Sequence, residues 1–162
     1  MFKRILGILL LGLIIAFGCS RGPMHQQADS SVPLTNAAPI DLKAAVAKAK
    51  AENKIVFLDF TGSDWCPPCI ELREKIFSQP EFMTYAESNL VLLTVDFPLK
   101  FRLPPDAGAT NDLLSAQFDA EGVPTFVALN GDGKEIWRHR GYIDGGFEEL
   151  KSGLDEAKAK PK

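Results

Sequence analysis

Two cysteines enclosing two prolines, Cys66-Pro67-Pro68-Cys69, are the residues best suited to chemistry in this chain of 162 residues. They follow the apolar run 55–60 and precede a segment of helical character, which places them at the start of a helix. There the helix dipole and the free N–H groups favour a thiolate at Cys66, while Cys69 lies one turn inside. Proline, which has no N–H, is tolerated in the first turn of a helix, because the N–H groups of that turn have no intrahelical acceptor in any case. The spacing therefore indicates a redox-active pair.

Three other interpretations of this pair stay open. A zinc site needs further ligands, but no second CxxC or HxxxH follows, and the histidines are His25 and His139. A purely structural disulfide is the second alternative. A copper site with His139 as third ligand is the third, although a single histidine on an alternating strand is more often a surface residue. We expect no metal, and no cofactor besides the Cys66–Cys69 disulfide itself.

The elements that must position the cysteines are predicted from apolar periodicity. Asp41 is a candidate N-cap for an amphipathic helix, in which Leu42, Ala45, Val46 and Ala49 follow i, i+3, i+4, i+7 spacing. Buried strands are predicted at 55–60, 90–95 and 125–129, a turn at 130–133, a returning antiparallel strand at 134–140, and further helices at 69–77, 112–118 and 147–157. This order predicts an α/β three-layer sandwich with a mixed central sheet flanked by helices.

Three segments of the chain together resemble the thioredoxin superfamily: Phe57-Leu58-Asp59-Phe60, Trp65-Cys66-Pro67-Pro68-Cys69 and Gly122-Val123-Pro124-Thr125-Phe126. The resemblance covers about Ile40 to Lys158 and implies a thioredoxin-like fold. It also implies that Cys66 attacks, that Cys69 resolves, that Trp65 flanks the site, and that Asp59 manages the proton of Cys69. Pro124 would be a cis-proline against the disulfide, with the Val123 backbone offered to an extended substrate peptide. A strand-initiating Pro124 and a solvated Asp59 are the simpler alternatives.

The sequence departs from ordinary thioredoxin in three places. One extra residue separates Asp59 from Cys66, and Leu92 stands where thioredoxin has a lysine partner for the acid. An insertion over 97–105, or up to 110 with the residues that follow, is either a partner-docking loop or padding. The insertion and the Thr-Gly-Ser-Asp-Trp-Cys form resemble the exported bacterial branch, akin to the catalytic domains of membrane disulfide reductases.

The N-terminus is typical of an export signal. Lys3 and Arg4 precede an apolar stretch at 5–17, shorter than the ~20 residues that span a bilayer. We predict a signal peptide at 1–18, a flexible tether at 19–39 and the thioredoxin-like domain at 40–162. Cys19 is either lipidated, as Gly18-Cys19-Ser20 suggests, or a free thiol after ordinary cleavage. Cleavage removes two positive charges and changes the formal net charge from −3 to −5.

The resulting hypothesis is a thiol–disulfide oxidoreductase that reduces disulfides of exported proteins. An oxidase or isomerase of exported proteins is one alternative, and a non-catalytic protein that binds copper or a partner is another. The expected partners are protein disulfide substrates, an upstream thiol electron donor and a membrane reached by a lipid anchor on the periplasmic side. The acidic pI of about 5.4 argues against nucleic acid. We expect a monomer.

Overall fold

The computed structural model describes residues 39–160, in which helices and strands alternate around one sheet. Along the chain these are α1 (Leu42–Glu52), β1 (Ile55–Thr61), α2 (Pro67–Leu72), α3 (Pro80–Asn89), β2 (Leu90–Asp96), α4 (Pro105–Gln117), β3 (Thr125–Leu129), β4 (Glu135–Arg140) and α5 (Gly146–Ala159). A π-helical stretch, Arg73–Phe77, continues α2. The predicted signal peptide and Cys19 lie outside the described residues, as does all but the end of the predicted tether.

The strand order in the sheet is β2-β1-β3-β4. β1 pairs in parallel with β2 and antiparallel with β3, and β4 pairs antiparallel with β3. The predicted mixed sheet is therefore confirmed. With β1 between β2 and β3, the segment that carries the cysteines leaves the sheet from an interior strand.

Alternation along β1 divides the apolar core between the two faces of the sheet. Ile55 and Phe57 belong to a cluster that includes residues of α2, α3 and α5, and the Phe57 ring stacks on Phe126 at 5.7 Å. Val56 and Leu58 belong to a second cluster with residues of α1 and α4. Each large buried side chain contributes about 1.5–3 kcal/mol. Helices thus cover both faces, as the predicted three layers require.

Two of the helices differ from the predictions, one in its presence and one in its first residue. α3 was not predicted, although its sequence carries the signals: Pro80 at the first position and Phe82, Tyr85 and Ala86 buried on one face. α4 begins at Pro105 instead of 112, which limits the insertion to residues 97–104. Its poor helix former Asn111 is buried and donates its side-chain N–H to the main-chain carbonyl of Asp96 at 2.8 Å, a contact made only in the folded chain. Within residues 39–160, no helix has the length and apolar character to cross a membrane.

Candidate active site

Cys66 and Cys69 form a disulfide at the start of α2. Cys66 is the N-cap residue, and the main-chain N–H of Cys69 points to its sulfur at 3.4 Å. Pro67 and Pro68 occupy the first helical positions, where their missing N–H groups leave nothing unpaired. Within residues 39–160, that Cys69 amide is the one hydrogen-bond donor to the sulfur of Cys66. The helix start is therefore arranged as predicted, with few donors around the first sulfur.

Both cysteines of the oxidised pair are buried. Cys66 is 3% exposed and Cys69 4%. The main-chain oxygen of Val123 lies 3.9 Å from the Cys66 sulfur, so the loop before β3 covers it.

The Val123–Pro124 peptide bond is cis, which confirms that prediction. The Pro124 carbonyl accepts a hydrogen bond from Gly141 N–H at 2.9 Å, and the Thr125 hydroxyl donates to Gly122 O at 2.6 Å. These bonds fix the loop on both sides of Val123. No residue in 39–160 forms a conventional hydrogen bond with the main-chain N–H or C=O of Val123. A free donor and acceptor thus lie next to the disulfide.

Trp65 flanks the disulfide and remains 42% exposed. Its indole N–H donates to the carbonyl of Phe97 at 2.6 Å, which joins the cysteine segment to the 97–104 loop. The indole lies against Gly62, where an added Cβ would come within 2.5 Å of the ring. Only glycine therefore permits this position of the indole, a constraint that the sequence did not reveal.

A second set of contacts holds the turn before Trp65, and the sequence alone did not indicate them. The buried Asp96 carboxylate accepts from the Ser63 N–H at 2.9 Å and from its hydroxyl at 2.6 Å. Arg73 donates to the Ser63 carbonyl at 3.1 Å. The Asp64 carboxylate accepts from the amides of Leu99 and Lys100 at 3.0 and 2.6 Å. An acid at the end of a predicted strand was the available signal for Asp96, but its partner is 33 residues away.

Asp59 lies on the sheet face that packs against α2, and its Oδ1 is buried without a hydrogen-bond partner in the structure. Burial first, and the nearby Asp96 carboxylate second, raise the pKa of Asp59 to about 7, while the Arg73 guanidinium opposes the shift. A cavity of about 20 Å³ adjoins it, lined also by Leu92 and Thr94. That volume suffices for one water molecule. Asp59 is thus partly buried with its Oδ1 away from solvent, which favours the buried acid over the solvated alternative, and the apolar Leu92 lies near it.

His139 is the histidine of the copper alternative considered above. It lies on β4 beside Trp137, with ring centroids 6.0 Å apart, and its Nε2 is 3.0 Å from the Tyr142 carbonyl. Over residues 39–160, no group of three or more histidine, cysteine or acidic side chains could hold a metal ion. Cys19 and His25 fall outside that range.

Comparison with known proteins adds to this geometry. A family model for a thioredoxin-like domain matches residues 42–158. The disulfide bond reductase DsbH of Chlamydia pneumoniae is 36% identical over 102 residues, 63% of this chain and 61% of DsbH. The thiol:disulfide interchange protein DsbD 2 of Pseudomonas aeruginosa is 30% identical over 131 residues, 79% of this chain and 21% of that protein. The chain thus spans less than two thirds of these relatives.

A solved structure of DsbH oxidoreductase superposes with a TM-score of 0.68 at 31% identity, covering 78% of this chain and 88% of that one. A thioredoxin from Thermus thermophilus, 22% identical, superposes with a TM-score of 0.53 and covers 74% of this chain and 85% of its own. The second match supports the fold. Since the family model covers most of the sequence, the chain belongs to the thioredoxin-like family.

Proposed function

We propose that this member of the thioredoxin-like family is a thiol–disulfide oxidoreductase that reduces disulfides of exported proteins through Cys66 and Cys69. The observation that carries the proposal is the Cys66–Cys69 disulfide at a helix start, beside the unpaired backbone of Val123. An extended peptide can bind that backbone by strand-like hydrogen bonds and bring its own disulfide to Cys66.

The reaction starts from the reduced pair. The Cys66 thiolate attacks one sulfur of a substrate disulfide, and the other substrate sulfur leaves as a thiolate and takes up a proton. The Cys69 thiolate then attacks the Cys66 sulfur, releases the second substrate thiol and closes the Cys66–Cys69 disulfide. Two electrons pass from the protein to the substrate. An external dithiol must return them before the next cycle.

We assign the proton of Cys69 to the buried Asp59. Its Oδ1 has no hydrogen-bond partner, and a pKa of about 7 lets it accept and release a proton near neutral pH. Asp59 acts here as a base for the resolving step.

Reduction is favoured over oxidation by the small number of donors at Cys66. Strong oxidants of this family stabilise the reduced form through the thiolate. Here Pro67 and Pro68 have no N–H, which leaves the Cys69 amide at 3.4 Å as the donor within the motif. The name of DsbH, a disulfide bond reductase, agrees with this direction. Oxidation and isomerisation are the alternatives that a measured redox potential would separate.

The experiment is turbidimetric reduction of insulin by the protein with dithiothreitol as electron donor. The wild type should accelerate precipitation, and Cys66→Ser should abolish the acceleration. Cys69→Ser should accumulate mixed disulfides on Cys66, detectable by mass spectrometry after acid quenching. Adducts on Cys69 instead would reverse the roles. No acceleration by the wild type would favour a non-catalytic binding protein.

Export and anchoring are part of the same proposal. The basic start, the apolar stretch 5–17 and Cys19 support a lipid-anchored protein on the periplasmic side of a bacterial membrane. The names of the relatives, disulfide bond reductase and thiol:disulfide interchange protein, support disulfide-exchange partners. We further propose that the protein acts as a monomer without a bound cofactor, which size-exclusion chromatography and metal analysis of the purified protein test.

A further inference from the structure

The 97–104 loop is held against the cysteine segment. Asp64 binds two of its amides, and the Trp65 indole binds its first carbonyl, as described above. The Phe97 N–H also donates to Thr61 O at 2.9 Å. All three of these partners belong to the five residues before Cys66. The loop is thus placed beside the disulfide by specific bonds, which padding would not require.

The tip of this loop exposes apolar side chains. Leu99 is 74% exposed and Phe101 42%, and Trp65 presents a similar fraction of its indole between the loop and Cys66. Their exposed surface contributes nothing to the stability of the domain. Exposed apolar groups rimmed by polar residues are typical of interaction sites. Trp65 and Phe97 also line a shallow groove that continues to Val123.

The charge of the loop is the opposite of the charge of the whole chain. Lys100 and Arg102 are the charged residues in 97–104, whereas the formal net charge of the protein is −3. Neither forms a salt bridge with a residue in 39–160. The Lys100 ammonium helps to lower the pKa of the nearby Asp64 carboxyl, so Arg102, part of the Lys100 charge and two apolar side chains are available to a ligand at this edge of the disulfide.

We propose that the 97–104 loop is the substrate-docking surface, and that it selects polypeptides with an aromatic residue and acidic residues next to the reacting cysteine. The inference rests on the proposed reductase function and narrows its substrates from protein disulfides in general to acidic, apolar ones. A polypeptide is favoured over a membrane surface, because the loop is bonded to the segment that carries Cys66 and is continuous with the Val123 groove.

Two synthetic peptides of equal length, each closed by one disulfide, test the selection. In one, a phenylalanine and two glutamates flank the reacting cysteine; in the other, a serine and two lysines do. The full-length protein is reduced, freed of reductant and mixed with each peptide, and the second-order rate is followed by acid quenching and chromatography. Each exposed ion pair changes the rate about two- to fivefold, so the acidic peptide should react about tenfold faster. The preference should fall as salt is raised.

Variants separate docking from a general effect on the protein. Lys100→Gln with Arg102→Glu makes the loop negative while Leu99 and Phe101 remain, so it should remove the electrostatic part of the preference and its salt dependence and leave the severalfold contribution of the phenylalanine. Leu99→Ser with Phe101→Ser should slow the aromatic peptide severalfold. The matched controls are Lys48→Gln with Lys134→Glu, both exposed lysines outside the loop, and Leu113→Ser, which is 71% exposed on α4. The controls should react as the wild type does.

Each other outcome has a definite meaning. Equal rates for both peptides in the wild type and in the loop variants overturn the docking surface and leave the reductase function standing. No reduction of either peptide overturns the reductase function and the inference with it. Unchanged peptide rates, together with loss of cosedimentation with anionic phosphatidylglycerol vesicles in Leu99→Ser/Phe101→Ser, assign the loop to a membrane surface and overturn the inference.

Discussion

Replacing Asp59 by asparagine should make the oxidised protein more stable at alkaline pH. The carboxyl has a pKa of about 7 in the folded protein, against an ordinary value of 3.8. Below pH 3.8 it is protonated in both folded and unfolded chains and has no effect on their balance. Between pH 4 and 7 the folded state binds more protons than the unfolded one, so stability falls as pH rises. Above pH 7 the carboxyl is ionised in both the folded and the unfolded chain, and stability falls no further on its account.

The size of the loss follows from the same two values. The pKa of Asp59 differs by about three pH units between the folded and unfolded chains, and at 1.36 kcal/mol per pH unit this corresponds to a loss of stability of about 4 kcal/mol. Oδ1 is buried without a partner, whereas the residue as a whole is only partly buried, so solvent screens part of this effect. Asparagine has nearly the same shape and never ionises. The unfolding free energy of Asp59→Asn minus that of the wild type should therefore rise by up to about 4 kcal/mol from pH 4 to pH 8.

The assay is urea unfolding of the oxidised proteins at pH 4, 5, 6, 7 and 8, so that no thiol titrates. Taking the difference between variant and wild type cancels the ionisable groups that do not interact with Asp59. Asp112→Asn, an exposed helical carboxyl, is the control and should give a difference that does not grow with pH. A flat difference for Asp59→Asn would refute the reasoning, since it would mean that the carboxylate is solvated in the folded protein.

Four further results are expected. Ser63→Ala removes the hydroxyl bond of 2.6 Å to the buried Asp96 carboxylate and should lower the unfolding free energy by about 2 kcal/mol in urea titrations, whereas Ser63→Thr should retain most of it. Gly62→Ala should displace the Trp65 indole from the Phe97 carbonyl, visible as a change in tryptophan fluorescence, because an added Cβ would lie 2.5 Å from the ring. Equilibration with glutathione and thiol alkylation should give a potential closer to about −270 mV than to about −120 mV, and a value near the second would contradict reduction. Mass spectrometry of the membrane fraction should find a diacylglyceryl group on Cys19, and Cys19→Ala should release the protein; an unmodified mature N-terminus would decide for simple secretion.

Much of the fold follows from local patterns. β1 and β3 are short apolar runs between turn signals, and α1 has an N-cap, Asp41, whose carboxylate does accept from Ala44 N–H at 2.8 Å. These signals act within a few residues, so a sequence reveals them directly. The Cys66–Cys69 spacing is equally local, and so is the single proline that marks the Val123–Pro124 bond.

Tertiary structure decided what depends on contacts between distant residues. Asp59 could be assigned from its sequence only as a buried or a solvated acid; the packing of α2 and β2 around it sets its pKa. The pairing of Ser63 with Asp96, and of Asp64 with the 97–104 loop, joins groups more than 30 residues apart. Apolar periodicity reports which face of an element is buried but not which polar groups meet there. The cysteine pair could therefore be identified from the sequence, whereas the bonds that hold the 97–104 loop and the surroundings of Asp59 form only on folding.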